Sequence, residues 1–362
     1  MNQASIFNVP NLHPLGRFHW ESARQAGVLP LFWSGSGLEL CFTGGELHIL
    51  LEADAAQYEP WISVEVNGAP LIRMPLHPGE NDVCVFRGLS EGPKKRVRLL
   101  KEVQLMPEDA GRLCVSGLCW TDGAFLPLWE PAYRLEFVGD SLTSGEGLHG
   151  AREEMDFVSA WFGARQAFPR LTADLLNADC RCISQSGWGI RSDWKNDPRH
   201  ALPNFYSRVC GPAAGPRNEA LGAQLEQDFA GWRPDAIVVN LGTNDANAMK
   251  NPPCAGPSGA FFKQRNDAAG LALLEDAALD FLQELRRQNP GAKLVWAYGM
   301  AGDALREPLE RAVTRFGADD RGAWFLPLPQ MRQETMGSRL HPGPACHREA
   351  AEALAAFLKT VL

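Results

Sequence analysis

The 362-residue chain has no excess of positive charge: 35 lysines and arginines stand against 43 aspartates and glutamates, a formal net charge of −8. That balance argues against a surface that coats nucleic acid or docks on a membrane, and it makes anionic polymers poor ligands. No stretch approaches the roughly 18 consecutive apolar residues of a membrane span. The N-terminus, MNQASIFNVPNLHPLGRF, has neither the basic n-region nor the apolar h-region of an export signal. No C-x-x-C pair occurs either. The nine cysteines, an odd number, are scattered from Cys41 to Cys346, with Cys114/Cys119 and Cys180/Cys182 the nearest neighbours. Neither a disulfide framework nor a zinc ribbon fits that scatter, and the thiols read as core residues. Free thiols and no export signal together lead to the expectation of a reducing cytoplasm.

What the chain does have is enough apolar sequence for a soluble globular protein: 45% hydrophobic and 22% charged residues. At roughly 100–200 residues per domain, its length predicts two domains. From about Gly16 to Leu126, short alternating runs are broken by turn residues, the pattern of an all-β sandwich, with Asn67-Gly68 as a hairpin turn. Of the basic run Lys94, Lys95, Arg96, Arg98 and Lys101, the three residues that fall on alternate positions of one strand are expected to form its solvated face. After Pro127 and Pro131 the period changes. Runs at 134–138, 181–185, 236–241, 293–298 and 323–328 alternate with helical stretches near 169–177, 218–229, 267–288, 304–316 and 348–361. This predicts a three-layer α/β/α domain with a parallel five-stranded sheet, and places a β-sandwich at 1–130 and an α/β domain at 131–362. The Pro-, Gly- and Ala-rich segment 246–264 is long enough to be a functional loop.

In an open parallel sheet, ligands bind beyond the carboxyl ends of the strands. The residues there are Gly139-Asp140-Ser141-Leu142, Ser186-Gly187-Trp188-Gly189, Gly242-Thr243-Asn244-Asp245 and, past the last strand, His341-Pro342-Gly343. A serine hydroxyl attacks an ester only if a base takes its proton, a role open to His341. The negative charge then formed on the carbonyl oxygen needs preorganised donors, each contributing about 3–4 kcal/mol. The Gly187 N–H, the Asn244 amide and the Ser141 N–H are the candidates. Asp140 is expected to set the turn through side-chain to backbone hydrogen bonds. Gly145-x-Gly147-x-x-Gly150 matches a dinucleotide fingerprint, but AREEMD follows it where a Rossmann unit needs an apolar helix. No metal or other cofactor is expected.

FVGDSLTSGEG around Ser141, SQSGWG around Gly187, LGTND around Asn244 and HPG at His341 resemble, in order, the four consensus blocks of the SGNH, or GDSL, hydrolases. The preceding sandwich, with VFRGLSEG, LLKEVQ and WAYGM, makes the chain similar more narrowly to carbohydrate esterase family 2. The resemblance implies a jelly-roll-like domain ahead of the hydrolase, and a carboxylic ester hydrolase of the acetyl xylan esterase type. Superfamily members commonly carry an Asp two residues before the catalytic histidine, and here that position is Arg339. Losing the orienting carboxylate of a true triad costs about four orders of magnitude. The family 2 resemblance implies a Ser-His dyad with a main-chain carbonyl as candidate orienter, and Glu334 is a second candidate.

His347 is read as a capping or surface residue at the start of the last helix. Of eleven tryptophans, Trp188, next to the candidate oxyanion glycine, is read as the residue that stacks on sugar, with Trp161 and Trp194 behind it. The chain is thus expected to remove O-acetyl groups from sugars or xylan-type glycans through an acetyl-enzyme. The competing readings are an esterase or thioesterase on lipid-like acyl groups, and a carbohydrate-binding protein without catalysis.

Overall fold

Alternation of apolar and polar residues through the first third of the chain builds two antiparallel sheets. In the computed structural model, which describes all residues except 55–56, 107–110 and 257–258, one sheet orders the strands Asn2–Ser5, Leu113–Trp120, Leu47–Ala53 and Gly79–Phe86. The other orders Phe125–Leu126, Gly37–Phe42, Lys95–Lys101, Trp61–Val66 and Ala69–Pro75. Their inward residues, among them Leu38, Leu40, Ile49, Ile62, Val64, Val97 and Leu99, form one buried core. Asn67 and Gly68 both take positive φ, 53° and 79°, and close the hairpin between Trp61–Val66 and Ala69–Pro75 as the two-residue turn predicts.

Of the three alternating basic residues expected on the solvated face, Lys94 is exposed, Arg96 half-buried and Arg98 buried. Lys95, Arg98 and Lys101 are buried, and their charges are met inside the unit. Arg98 donates to Glu39, and to Glu65 at 2.9 Å. Arg96 reaches Glu39 at 2.7 Å and lies 3.6 Å from the centroid of the Trp129 ring. The Lys101 ammonium donates to the Phe32 carbonyl at 2.6 Å. The strand's outer face is covered, so its alternating charges face partners instead of water.

One member of this network, Arg165 at Glu65, comes from later in the chain. The residues divide into two units: Met1–Glu130 with Val158–Arg165 and Ser207–Gln227, and Pro131–Phe157 with Gln166–Tyr206 and Asp228–Leu362. Two segments assigned by sequence to the α/β domain therefore return to the sandwich. Arg165 donates to Glu65 at 2.5 Å, and Arg73 donates to the carbonyls of Ala160 and Phe162 at 2.6 and 2.9 Å. Trp33 donates to the Val209 carbonyl at 2.7 Å. These bonds satisfy backbone groups of irregular segments by side chains far away in sequence, a pairing no local pattern encodes. For the same reason the helix expected over 218–229 shrinks to Pro216–Ala220. Gly222 turns there at φ +83°, where a Cβ would fall 2.7 Å from His19.

In the second unit, five parallel strands, β1 (Tyr133–Gly139), β2 (Ala178–Ser184), β3 (Ala236–Asn240), β4 (Lys293–Tyr298) and β5 (Ala323–Pro327), lie in the order β2-β1-β3-β4-β5. The helices are α1 (Ser141–Ser144), α2 (Phe168–Leu175), α3 (Thr243–Ala248), α4 (Ala268–Gln288), α5 (Arg306–Gly317) and α6 (Pro344–Val361). Alternate strand residues, such as Leu135, Phe137, Val238 and Ala297, share a core with Phe168 of α2 and Leu354 and Leu358 of α6. The intervening Val138, Ile237, Val239 and Trp296 are equally buried, and α4 and α5 pack on each other and on β4. Both faces of the sheet are thus covered, as an all-parallel sheet requires. Asp267 starts α4 by accepting the Gly270 N–H at 2.7 Å. All nine cysteines are free.

His347 is neither a cap nor a surface residue. It lies fully buried in the first turns of α6, where its Nδ1 accepts the Phe168 N–H at 3.1 Å. Burial pushes its pKa down to about 3, and the nearby His341 pushes the same way.

Two outcomes follow from these contacts. Replacing Arg98 by Met should lower the unfolding free energy in urea by about 3 kcal/mol, the low end for a broken buried pair, because Glu39 keeps Arg96 and Glu65 keeps Arg165. An unchanged urea midpoint would show that the network adds nothing. His347, depressed from 6.5 to about 3, contributes stability that is complete above its unfolded pKa and is lost as pH falls toward its folded one. In His347→Gln the plot of unfolding free energy against pH should therefore be shallower between roughly pH 6 and 4, by about 1.4 kcal/mol per pH unit. Parallel plots for the two proteins would contradict the assignment.

Candidate active site

Strand β1 ends at Gly139, where any side chain would meet the Thr143 hydroxyl at 2.0 Å and the Asn240 carbonyl at 2.9 Å. The chain therefore turns tightly there. Asp140 caps the turn by accepting the Leu142 N–H at 3.0 Å, as the turn chemistry suggests. Ser141 follows as the first residue of α1 and is buried.

Its hydroxyl lies 2.9 Å from His341 Nε2, and His341 Nδ1 lies 2.8 Å from the carbonyl of Arg339. A carbonyl can only accept, so Nδ1 carries the proton and Nε2 presents a lone pair to the serine hydroxyl. That is the tautomer a general base needs. The histidine loop is short and closed on itself: Gly337 N–H donates to the His341 carbonyl at 2.7 Å, and His341 N–H to the Ser338 carbonyl at 3.0 Å. Arg339 and Leu340 both have positive φ, 55° and 58°, and this bend points the Arg339 carbonyl back at the imidazole. Glu334, the side-chain candidate for that task, is exposed and pairs with Arg332 at 2.8 Å.

The loop after β2 is tied to the loop after β1 by Gln185 N–H to the Gly139 carbonyl, 3.2 Å, and by the Ser144 and Ser184 hydroxyls, 2.9 Å apart. Gly187 stands at φ +81°, a conformation that costs glycine nothing. Asn244, at the start of α3, donates from its amide nitrogen to the Trp188 carbonyl at 2.9 Å and to Asp140 Oδ2 at 3.2 Å. The amide thus joins the three loops that follow β1, β2 and β3, and both of its hydrogens are engaged. Contact with an oxyanion would require it to give up one of them, the longer bond to Asp140 being the weaker. Burial raises the Asp140 carboxyl to about 7, so near neutrality protonation loosens that bond.

Sequence reasoning missed two acidic side chains here. Asp245 accepts the N–H groups of Ile190 and Arg191 at 2.8 and 3.0 Å, and Gln264 Nε2 at 2.9 Å. It anchors the loop that carries Gly187, and burial raises its carboxyl above the usual range. Its place directly after Asn244 in LGTND was the available signal. Glu146 is also buried: Oε1 accepts from Arg339 Nε at 2.6 Å, and Oε2 lies 3.8 Å from His341 Nε2. Nothing in its spacing from His341 pointed to that contact.

The two tryptophans of this loop are placed differently. Trp188 is packed between His200, stacked at 5.0 Å, and Phe205, tilted at 4.8 Å, which makes it part of the wall. Trp194 is 43% exposed, and its ring edge lies 3.0 Å from where a Gly187 Cβ would be. Among the described residues, Asp193, Asp197 and His200 bring potential ligand atoms within 4.8 Å of one another. Their oxygens are already engaged: Asp193 accepts from His200 and from the N–H groups of Lys195 and Asp197, and Asp197 pairs with Arg199.

Known proteins share this architecture. The acetyl xylan esterase Est2A from the rumen bacterium Butyrivibrio proteoclasticus superimposes with a TM-score of 0.95 at 39% identity, over 99% of this chain and 98% of that one. A family two carbohydrate esterase from Clostridium thermocellum, solved in complex with cellohexaose, gives 0.80 at 25% identity, over 96% and 98% of the two chains. In sequence the chain is 27% identical to the cellulase/esterase CelE of Acetivibrio thermocellus over 91% of its own length and 37% of CelE. It is 26% identical to an acetylxylan esterase / glucomannan deacetylase of Cellvibrio japonicus over 65% of its own length and 62% of that protein. It thus spans less than two thirds of these curated relatives. Residues 137–349, from the end of β1 through the histidine loop, match the GDSL-like lipase/acylhydrolase family, and the chain belongs to that family.

Proposed function

We propose that the protein is a metal-independent serine esterase that removes O-acetyl groups from carbohydrates. The observation that carries the reading is the relay from Ser141 Oγ through His341 to the Arg339 carbonyl, 2.9 and 2.8 Å long, at the carboxyl edge of a parallel sheet. The acetyl xylan and carbohydrate esterases that share the fold support the choice of acyl group and substrate class. A protein that only bound carbohydrate would have no need of a serine hydroxyl aligned on a correctly protonated imidazole.

Ser141 Oγ attacks the acetyl carbonyl while its proton passes to His341 Nε2. The resulting oxyanion is met by the N–H groups of Gly187 and Ser141 and by the Asn244 amide. As the carbon–oxygen bond to the sugar breaks, Nε2 returns the proton to the sugar oxygen and leaves an acetyl-enzyme. Water, deprotonated by the same nitrogen, then attacks the acetyl group and releases acetate and free Ser141. Trp194, exposed beside Gly187, offers one stacking face for a sugar ring, and the half-buried Trp188 offers a second.

Ser141→Ala should reduce turnover of 4-nitrophenyl acetate at least about a thousandfold, as loss of a nucleophile does, and a variant as active as the parent would sink the mechanism. Acetate release from acetylated mono- and oligosaccharides should exceed that from esters of longer acyl chains, and a preference for long chains would replace the carbohydrate assignment with a lipid-like one. One indole face covering about 50 Å² of sugar at about 25 cal/mol per Å² contributes roughly 1.3 kcal/mol. Trp194→Ala should therefore raise KM for acetylated oligosaccharides about tenfold with little change for 4-nitrophenyl acetate. Equal effects on both substrates would assign Trp194 to the fold instead.

A further inference from the structure

The Arg339 carbonyl can orient His341 only while residue 339 stays in the left-handed region, at φ 55° and ψ 31°. A residue with a side chain does not rest there unaided, and the contacts that hold it are visible. Its N–H donates to the Glu154 carbonyl at 2.8 Å and its Nη1 to the Met155 carbonyl at 2.8 Å. Its Nε donates to Glu146 Oε1 at 2.6 Å. The first two acceptors are backbone atoms of one neighbouring segment; the third is a carboxylate that is itself only 3% exposed. A buried carboxylate is retained only with a partner, so the pair fastens Arg339 from the side of the nucleophile loop.

Glu146 belongs to that loop. Its own N–H donates to the Ser141 carbonyl at 3.0 Å. The next residue, Gly147, is pressed so closely on the histidine loop that a Cβ would fall 2.6 Å from the Ser338 carbonyl and 2.7 Å from His341 Cβ. The second carboxylate oxygen faces the imidazole, 3.8 Å from Nε2. Nε2 is the atom on which the Ser141 proton arrives, so a positive charge would form within ion-pair distance of a buried negative one, where water screens little.

We propose that Glu146 is the positioning residue of this histidine. Through Oε1 it holds Arg339 in the bend that turns its carbonyl to Nδ1, and with Oε2 it faces the imidazolium that forms at Nε2. The carboxylate absent two residues before His341 is supplied from the loop of the nucleophile. This inference rests on the Ser141–His341 reading above.

The test compares kcat and KM for 4-nitrophenyl acetate in the full chain, per active site counted with a fluorophosphonate. Glu146→Gln keeps the shape and an oxygen for Arg339 Nε but removes the charge. It should lower kcat at least tenfold with KM within twofold of the parent, whereas a merely structural residue would alter the count of active sites and not the turnover of each. Should that variant fail to fold, Glu146→Gln with Arg339→Gln strands no lone charge and should show the same loss in kcat. A folded variant of either kind with kcat within twofold of the parent overturns the proposal. Ser141→Ala separates the two readings. If it is as active as the parent, the dyad itself fails; if it is silent while Glu146→Gln turns over normally, only the role of Glu146 fails.

Discussion

A histidine is held ready as a base toward serine when its other ring nitrogen faces a group that can only accept a hydrogen bond. In this protein that acceptor is the carbonyl of Arg339, 2.8 Å from His341 Nδ1. A carbonyl offers less charge than a carboxylate, but it cannot rotate away or titrate, so the tautomer is set by the path of the backbone. The requirement then passes to that path: two successive residues, Arg339 and Leu340, with positive φ, inside a loop closed by its own hydrogen bonds. With that path the chain returns after β5 so that His341 meets Ser141.

The rest of the site is organised by buried polar groups that bind one another across loops. Asn244 joins Asp140 to the Trp188 carbonyl, and Asp245 gathers Ile190, Arg191 and Gln264. All of these bonds but the one to Gln264 join two of the turns at the carboxyl edge of the sheet, and so tie that edge together. The cost is electrostatic. Burial raises the carboxyls of both Asp140 and Asp245, and backbone N–H donors offset part of that cost. The sandwich follows the same rule, with Arg98 buried between Glu39 and Glu65.

Much of the site was legible because its residues sit where local pattern and topology agree. The strand runs located the sheet, the rule for parallel sheets selected the turns beyond it, and Ser141, Gly187, Asn244 and His341 were the chemistry-bearing residues in those turns. Positions whose role depends on a distant partner were not legible. Trp188 and Trp194 are six residues apart in one loop, and only packing tells them apart: His200 and Phe205 lie against the first, and the second is exposed. His347 follows a Pro-Gly-Pro turn as a cap or surface residue would, yet α6 buries it against Phe168. Lys94, Arg96 and Arg98 alternate as a wetted strand face does, yet Arg98 is buried between Glu39 and Glu65, and Glu65 also holds Arg165 from a segment that joins the same unit.

Taken by itself, the sequence determined the order of the five parallel strands and of the longer helices between them, the change of period near residue 130, and which side chains could be nucleophile and base. Those are properties of adjacent residues, because periodicity, turn chemistry and hydroxyl or imidazole reactivity are local. Tertiary structure alone decided which segments join which unit, what orients His341, and that the buried carboxylate beside it is Glu146 and not Glu334. Each of these is a meeting of groups far apart in the chain, and burial and hydrogen bonding choose such partners by position in space.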